Sequence, residues 1–214
     1  MILRNVDRPV YNARMQAIPS PATQATSPRE RILLTAHDLF YREGIRATGI
    51  DRVIAESGVA KVTFYRHFPS KNDLICEFLE YRHLQWMAWF TDALARHGGG
   101  PDALCPALAE WFADANFRGC AFINSVAELG GALPAVVAIS QRHKQDMADA
   151  IAGLLPPSRH TKQDALDLAL AVDGAITRAQ MDATPDAALA SLKRIQKSLQ
   201  RPTASARRYS STTG

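Results

Sequence analysis

Two helical segments of about two turns each flank the pair Gly58-Val59, and this arrangement constrains the fold more than any other feature. Helices this short are not stable alone, because the free-energy cost of nucleating a helix exceeds the stabilisation that two turns of hydrogen bonds provide. They become stable when both pack on a further helix, as in a helix-turn-helix, whose second helix enters the major groove of DNA. Gly58 suits the turn because one residue there must take a positive φ.

Start and stop signals place the first four helices along the chain. Three of them begin with a Ser or Thr that is followed three residues later by an acidic residue, the pattern of a capping box. Gly44 ends the first helix, and Pro69 ends the third, which runs from about residue 60 to 67. The capping pairs are Ser27 with Glu30, Thr48 with Asp51, and Ser70 with Asp73.

The rest of the chain also has helical periodicity, with the loop "GGGP" at residues 98–101, and no segment alternates like a strand. We therefore predict an all-α fold of about nine helices, the last five near 103–116, 119–129, 134–155, 161–181 and 185–200. We predict four regions: a disordered N-terminal arm (1–27), a three-helix DNA-binding domain (28–74), a helical ligand-binding and dimerisation domain (75–200), and a disordered tail (201–214).

Composition excludes several classes of protein. The 214 residues carry a net charge of +4, with eight Lys/Arg against five acids in residues 29–71 and three against six in residues 101–155. The basic front third favours a polyanionic partner. The chain has no apolar run long enough for a membrane span. Three scattered cysteines predict neither disulfides nor zinc, which indicates a reducing, cytoplasmic setting. No catalytic motif unites the six histidines, so neither an enzyme nor a cofactor is expected.

The faces of the predicted third helix have different chemistry. Phe64 is apolar and is expected to pack inward. The polar and basic side chains on the other faces are of types that bond to bases or phosphates. The residues so placed are Lys61, Thr63, Tyr65, Arg66 and His67.

Residues 29–75 closely resemble the DNA-binding domain of the TetR family of bacterial repressors. Ala60 departs from the family, which often has Ser there, so a capping hydroxyl is missing. The matching features are Leu39-Phe40, Gly44, Thr48, Ile50, Ile54-Ala55, Gly58-Val59, Lys61 and the segment "TFYRHFPSKNDL" from Thr63.

The resemblance implies a homodimer that binds a double-stranded, palindromic DNA operator and represses transcription until a small-molecule effector binds. It places two groups of residues at the DNA. Lys61, Val62, Thr63 and Arg66 lie where the family reads bases, and Thr48, Tyr65, His67 and Lys71 lie where it holds phosphates.

The last two helices are predicted to form the dimer interface. Their apolar stripes include Leu168, Val172 and Leu192, and the same stripes also fit the domain's own core. An effector pocket is expected between the fourth and eighth helices, although a DNA-binding regulator without an effector remains an alternative. The candidate lining residues are Trp86, Trp89, Phe90, Trp111, Phe112, Phe117, Cys120, Phe122 and His143.

Cys120 suggests a further alternative, a thiol-based sensor. Cys120 follows Arg118 and is predicted near a helix N-terminus. Both features lower a thiol pKa, although a small buried cysteine is the simpler interpretation.

Overall fold

The computed structural model describes residues 27–199, and these residues form nine α-helices and one 3-10 turn with no strand among them. The all-α prediction is confirmed. The predicted disordered segments lie outside the described residues, apart from Ser27. The elements are α1 (Pro28–Glu43), α2 (Ile50–Ser57), α3 (Lys61–His67), α4 (Lys71–Arg96), the 3-10 turn (Pro101–Ala103), α5 (Leu104–Phe112), α6 (Ala121–Leu129), α7 (Pro134–Ala152), α8 (Thr161–Met181) and α9 (Asp186–Leu199).

Local capping chemistry explains most of the helix ends. The hydroxyl of Ser27 accepts the N–H of Glu30 at 3.3 Å, and the hydroxyl of Ser70 accepts the N–H of Asp73 at 3.2 Å, so both predicted caps are confirmed. Gly44 ends α1 with a φ of 94°. Such a φ favours glycine because a Cβ would clash with the following backbone.

The predicted cap at Thr48 is wrong. The N-cap of α2 is Gly49, which makes no side-chain bond, while Thr48 is buried and its hydroxyl donates to the Gly44 carbonyl at 2.8 Å. The Thr48 side chain therefore binds back to the end of α1 and does not cap α2, whose N-cap position is one residue later, at Gly49.

The predicted fifth helix is shorter than expected. It ends at Phe112 rather than near residue 116, because the Asp114 carboxylate accepts the N–H of Asn116 at 2.8 Å and the Asp114 carbonyl accepts the N–H of Phe117 at 2.9 Å. Such local side-chain bonds compete with helical hydrogen bonds. The helix predicted to reach residue 155 likewise ends at Ala152.

The chain divides into two compact units. The first contains residues 27–92 and 113–146, and its core includes Phe64, Phe68 and Phe78, which are almost fully buried. The first unit holds α1, α2, α3, α6 and most of α4 and α7. The predicted boundary between the DNA-binding domain (28–74) and the ligand-binding and dimerisation domain (75–200) stays a prediction.

The second unit contains residues 93–112 and 147–199. Within it α9 packs on α8 and on α5. Leu168, Val172 and Leu192 are buried inside this unit. The apolar stripes predicted for dimerisation therefore cover mainly the unit's own core, because each helix turns its most continuous apolar face toward its neighbours. Among residues 27–199, no helix is both long and apolar enough to cross a membrane.

Candidate nucleic-acid interface and the helical core behind it

The turn between α2 and α3 has the geometry of a helix-turn-helix. Gly58 ends α2 in the left-handed conformation, with φ 64° and ψ 31°. Helix α1 contacts both α2 and α3, and Val53 and Phe64 are fully buried in this three-helix cluster. The start of α3 follows Ala60, which provides no side-chain cap. Two short helices are thus held by burial of apolar side chains rather than by their own hydrogen bonds.

Packing of Phe64 leaves the opposite face of α3 at the surface. Val62 is 74% exposed, which is unusual for an apolar side chain, and Thr63 is half-buried. Lys61 is exposed and its Nζ lies 3.3 Å from an Asp51 carboxylate oxygen. Arg66 is also exposed and has no hydrogen-bond or ion-pair partner within residues 27–199. All four predicted base-reading residues therefore lie on α3, and the Arg66 guanidinium is exposed and forms no bond within residues 27–199 that would compete with a base.

The four predicted phosphate-binding residues differ in exposure. Tyr65 is exposed, its ring meeting Phe64 edge-on at 5.2 Å, and His67 is half-buried. Lys71 is half-buried and donates from Nζ to the Ile45 carbonyl at 2.7 Å. Burial lowers the pKa of Lys71, partly offset by Glu128. Thr48 is bonded to the backbone, as described above. In this structure Lys71 and Thr48 thus both hold the segment between α1 and α2.

A carboxylate from α6 also holds this segment. Glu128 accepts the N–H groups of Ile45 at 3.3 Å and of Arg46 at 2.8 Å. At the other end of α6, the Tyr41 hydroxyl donates to the Gly119 carbonyl at 3.0 Å and accepts the N–H of Arg118 at 3.1 Å. Helix α6 is therefore tied to the DNA-binding helices at both ends, within the first unit.

Five of the predicted pocket residues form one aromatic cluster in the first unit. Trp86 stacks on Phe90 with ring centroids 4.6 Å apart and meets Trp89 at 6.0 Å. His143 stacks on Phe122 at 3.6 Å and meets Trp86 edge-on at 5.0 Å. The cluster joins α4, α6 and α7 through their side chains.

The other four candidates lie elsewhere. Cys120 is buried, and Lys144 places its Nζ 3.3 Å from the Cys120 sulfur. Phe117 is half-buried in the segment before α6. Trp111 and Phe112 belong to the second unit, where their rings lie 5.9 Å apart. The predicted ligand set therefore does not form a single cluster.

His143 is kept neutral by its surroundings. Burial lowers its pKa from 6.5 to about 2, and the neighbouring Lys144 adds to the effect. His83 lies with its Nδ1 3.2 Å from the Nδ1 of His143, and its Nε2 is 3.4 Å from a carboxylate oxygen of Asp146. One of the two Nδ1 atoms must donate to the other.

Sequence reasoning missed a buried arginine in the first unit. Arg82 is 7% exposed, and its guanidinium lies 4.0 Å above the Tyr41 ring, with Nη1 3.4 Å from Nε2 of His37. A signal was present, since Arg82 follows Phe78 by four residues and precedes Trp86 by four, on the buried face of α4. A charge at a core position of an amphipathic helix is unusual.

Two comparisons with known proteins name the same family. Residues 32–78 match the family model described as "Bacterial regulatory proteins, tetR family". The crystal structure of SCO4454, a TetR-family transcriptional regulator from Streptomyces coelicolor, superimposes with a TM-score of 0.69 at 29% identity, covering 80% of this chain and 93% of that one. The chain belongs to the TetR family.

Sequence similarity to curated relatives covers about a quarter of this chain. The chain is 42% identical over 53 residues to the HTH-type transcriptional regulator YerO of Bacillus subtilis, and 40% identical over 60 residues to YxaF of the same organism. These segments are 25% and 28% of this chain and only 18% and 31% of the two relatives. The TetR resemblance is confirmed, and the curated matches span less than a third of either relative.

Proposed function

We propose that this TetR-family protein is a transcriptional repressor that binds a palindromic operator as a homodimer and is released by a small-molecule effector. The observation that carries the proposal is the free, exposed face of α3, with Lys61, Val62 and Arg66 projecting from a helix-turn-helix. Lysine and arginine bond to guanine edges, and an exposed valine contacts a thymine methyl. A single short helix reads only a half-site, so two copies are needed, about 34–36 Å apart.

Release by an effector requires a link between the aromatic cluster and the DNA-binding helices. Helix α6 supplies that link, because Phe122 belongs to the aromatic cluster while Glu128 holds the backbone of Ile45 and Arg46. An effector that binds one position of α6 more tightly shifts the population toward it. Operator affinity then falls by the difference in the effector's binding free energy between the two states.

Dimerisation is assigned to α8 and α9 in the second unit. The residues that support it are apolar side chains left at the surface, including Leu170 at 74% exposure and Met181, with Ile195 on α9. A Leu170→Glu variant should sediment as a monomer and lose operator affinity. Leu84→Glu, at a comparably exposed leucine of α4, is the matched control and should remain dimeric. A dimeric Leu170→Glu protein would exclude this face.

Operator selection with purified full-length protein tests the function directly. Bound fragments should share a palindrome, and affinity for it should exceed that for random DNA by about 10³-fold or more at physiological salt. Release from the operator is tested by repeating the binding measurement with small molecules that are substrates or products of the enzymes encoded beside the operator. Selection that returns no common sequence would contradict the proposal. If operator affinity is the same with and without every small molecule tested, the protein is a DNA-binding regulator that no effector releases.

A thiol-based sensor is a second candidate, favoured by the contact between Lys144 Nζ and the sulfur of Cys120. Hydrogen peroxide oxidises a cysteine thiol to a sulfenic acid and is itself reduced to water. Hydrogen peroxide should then abolish operator binding in the wild type and spare Cys120→Ser, with Cys105→Ser as the control. Equal sensitivity of the wild type and Cys120→Ser would exclude this candidate.

A further inference from the structure

The core of the first unit contains a positive charge with no carboxylate of residues 27–199 at hydrogen-bond distance. Arg82 lies on α4 and is more than nine-tenths buried. Among residues 27–199 its only polar neighbour at hydrogen-bond distance is His37 Nε2 at 3.4 Å, and the face of its guanidinium lies against Tyr41. Burying an unpaired charge costs several kcal/mol, and for that reason buried arginines are normally paired with an acid.

The neighbour of Arg82 has a buried donor that is unsatisfied within the described residues. Arginine only donates, so His37 Nε2 must accept and the proton of the neutral ring lies on Nδ1. His37 is buried, and its Nδ1 has no hydrogen-bond partner within the described residues, the nearest carboxylate oxygen being that of Asp38 at 3.6 Å. Burial lowers the pKa of His37, Asp38 opposes this effect and Arg82 adds to it, and the net lowering supports the neutral ring. One buried donor without an acceptor therefore lies beside a buried guanidinium whose hydrogen-bond partner is a neutral ring.

We propose that Arg82 and His37 bind the carboxylate of a small aromatic acid in the core of the first unit. A planar guanidinium matches a carboxylate in a two-pronged hydrogen-bonded pair, and Nδ1–H of His37 adds a third donor. One buried cation balances one negative charge, which favours a carboxylate over a phosphate dianion. The proposal rests on the proposed function, since it assigns the chemical class of the effector.

The surroundings of the two donors favour an aromatic body for the acid. His37 meets the ring of Phe78 edge-on at 5.7 Å and that of Tyr81 at 5.4 Å, and Arg82 lies over Tyr41. Aromatic rings prefer such edge-to-face and offset partners. A flat ring attached to the carboxylate would extend this cluster, whereas an inorganic anion would gain nothing from it.

Thermal unfolding of the full-length protein tests the proposal with benzoate as the probe. Benzoate should raise the melting temperature in a saturable way, while benzamide, its neutral analogue, should not. In Arg82→Gln the Kd of benzoate should rise at least tenfold. Arg142→Gln, which removes an exposed arginine paired with Glu80 on the surface of the same unit, should bind benzoate like the wild type.

Several results would overturn the proposal. Equal stabilisation by benzoate and benzamide would exclude recognition of the charge, and equal stabilisation by phosphate at matched ionic strength would exclude the aromatic carboxylate. No stabilisation of the wild type by benzoate would exclude the site without reference to any variant. If the protein selects an operator but does not bind benzoate, the proposed function stands and this inference is wrong. If it binds benzoate through Arg82 but selects no operator, this inference stands and the proposed function is wrong.

Discussion

The carboxylate of Glu128 on α6 accepts the backbone N–H of Arg46 at 2.8 Å, across 82 residues of chain. The second oxygen accepts the N–H of Ile45. These two amides lie in the segment between α1 and α2, where no helix supplies acceptors for them. Backbone donors that lose their acceptor are costly. One acidic side chain therefore organises the entry to the helix-turn-helix.

Replacement of Glu128 by alanine should destabilise the first unit. The loss of two charge-assisted hydrogen bonds is expected to lower the free energy of unfolding by about 1–3 kcal/mol, measured by urea denaturation. The control is Glu56→Ala, whose carboxylate is exposed and bonds Arg52 on the same helix, and which should cost about 0.5 kcal/mol or less. Equal losses in the two variants would mean that the Glu128 bonds do not hold this segment.

Replacement of Gly58 by alanine should lower stability through backbone strain alone. Its φ is 64° and a Cβ would meet no atom within 4 Å, so the expected cost of about 1–2 kcal/mol reflects conformation and not a clash. Gly131→Ala is the matched control, because Gly131 has an ordinary φ and equally open space. That substitution should be neutral or slightly stabilising. Chemical denaturation of both variants measures the difference, and a neutral Gly58→Ala would contradict the strain.

Arg66→Ala should relax base preference in the operator. Arg66 is exposed and free of partners in the part of the chain described, so its loss removes about 1–3 kcal/mol of discrimination at one base pair. Selection with randomised operators compares the variant with the wild type and with Arg159→Ala, an exposed arginine of the second unit. An unchanged preference at every position would show that Arg66 does not read a base.

Lys71→Ala should weaken binding to all sequences about equally. If Lys71 neutralises one phosphate, the slope of log affinity against log salt should fall by about 1. The same variant should also unfold more easily, because Nζ of Lys71 donates to the Ile45 carbonyl at 2.7 Å. Salt titrations and urea denaturation separate the two effects. If the variant is less stable but the salt slope is unchanged, Lys71 stabilises the fold and does not contact a phosphate.

Stability should fall as pH drops below about 6.5, because His143 is buried as the neutral ring. Its pKa is about 2 in the folded protein and near 6.5 when unfolded, so the unfolded state binds a proton that the folded state does not. His143 alone should cost about 2 kcal/mol between pH 7 and pH 5. Denaturation at both pH values should show a smaller pH effect in His143→Asn than in the wild type or in the surface control His160→Asn. An equal pH effect in all three proteins would contradict a neutral His143.

Local signals in the sequence determined much of this protein. Helix periodicity, the caps at Ser27 and Ser70, and the glycines at 44 and 58 depend on residues close in the chain, and the structure agrees with each of them. The TetR resemblance rests on the same local spacing. Thr48 is the exception, because its buried side chain donates back to the Gly44 carbonyl and the N-cap position is taken by Gly49.

Tertiary structure alone decided which distant residues meet. Nothing in the spacing of Glu128 and Arg46, or of Arg82 and His37, predicts a contact, because each pair joins segments distant in the chain whose packing depends on the whole core. The same is true of the apolar stripe with Leu168 and Val172, which periodicity marks as a contact face but cannot assign to the core or to a partner. Periodicity reports that a face is apolar, and only the packed structure shows what covers it.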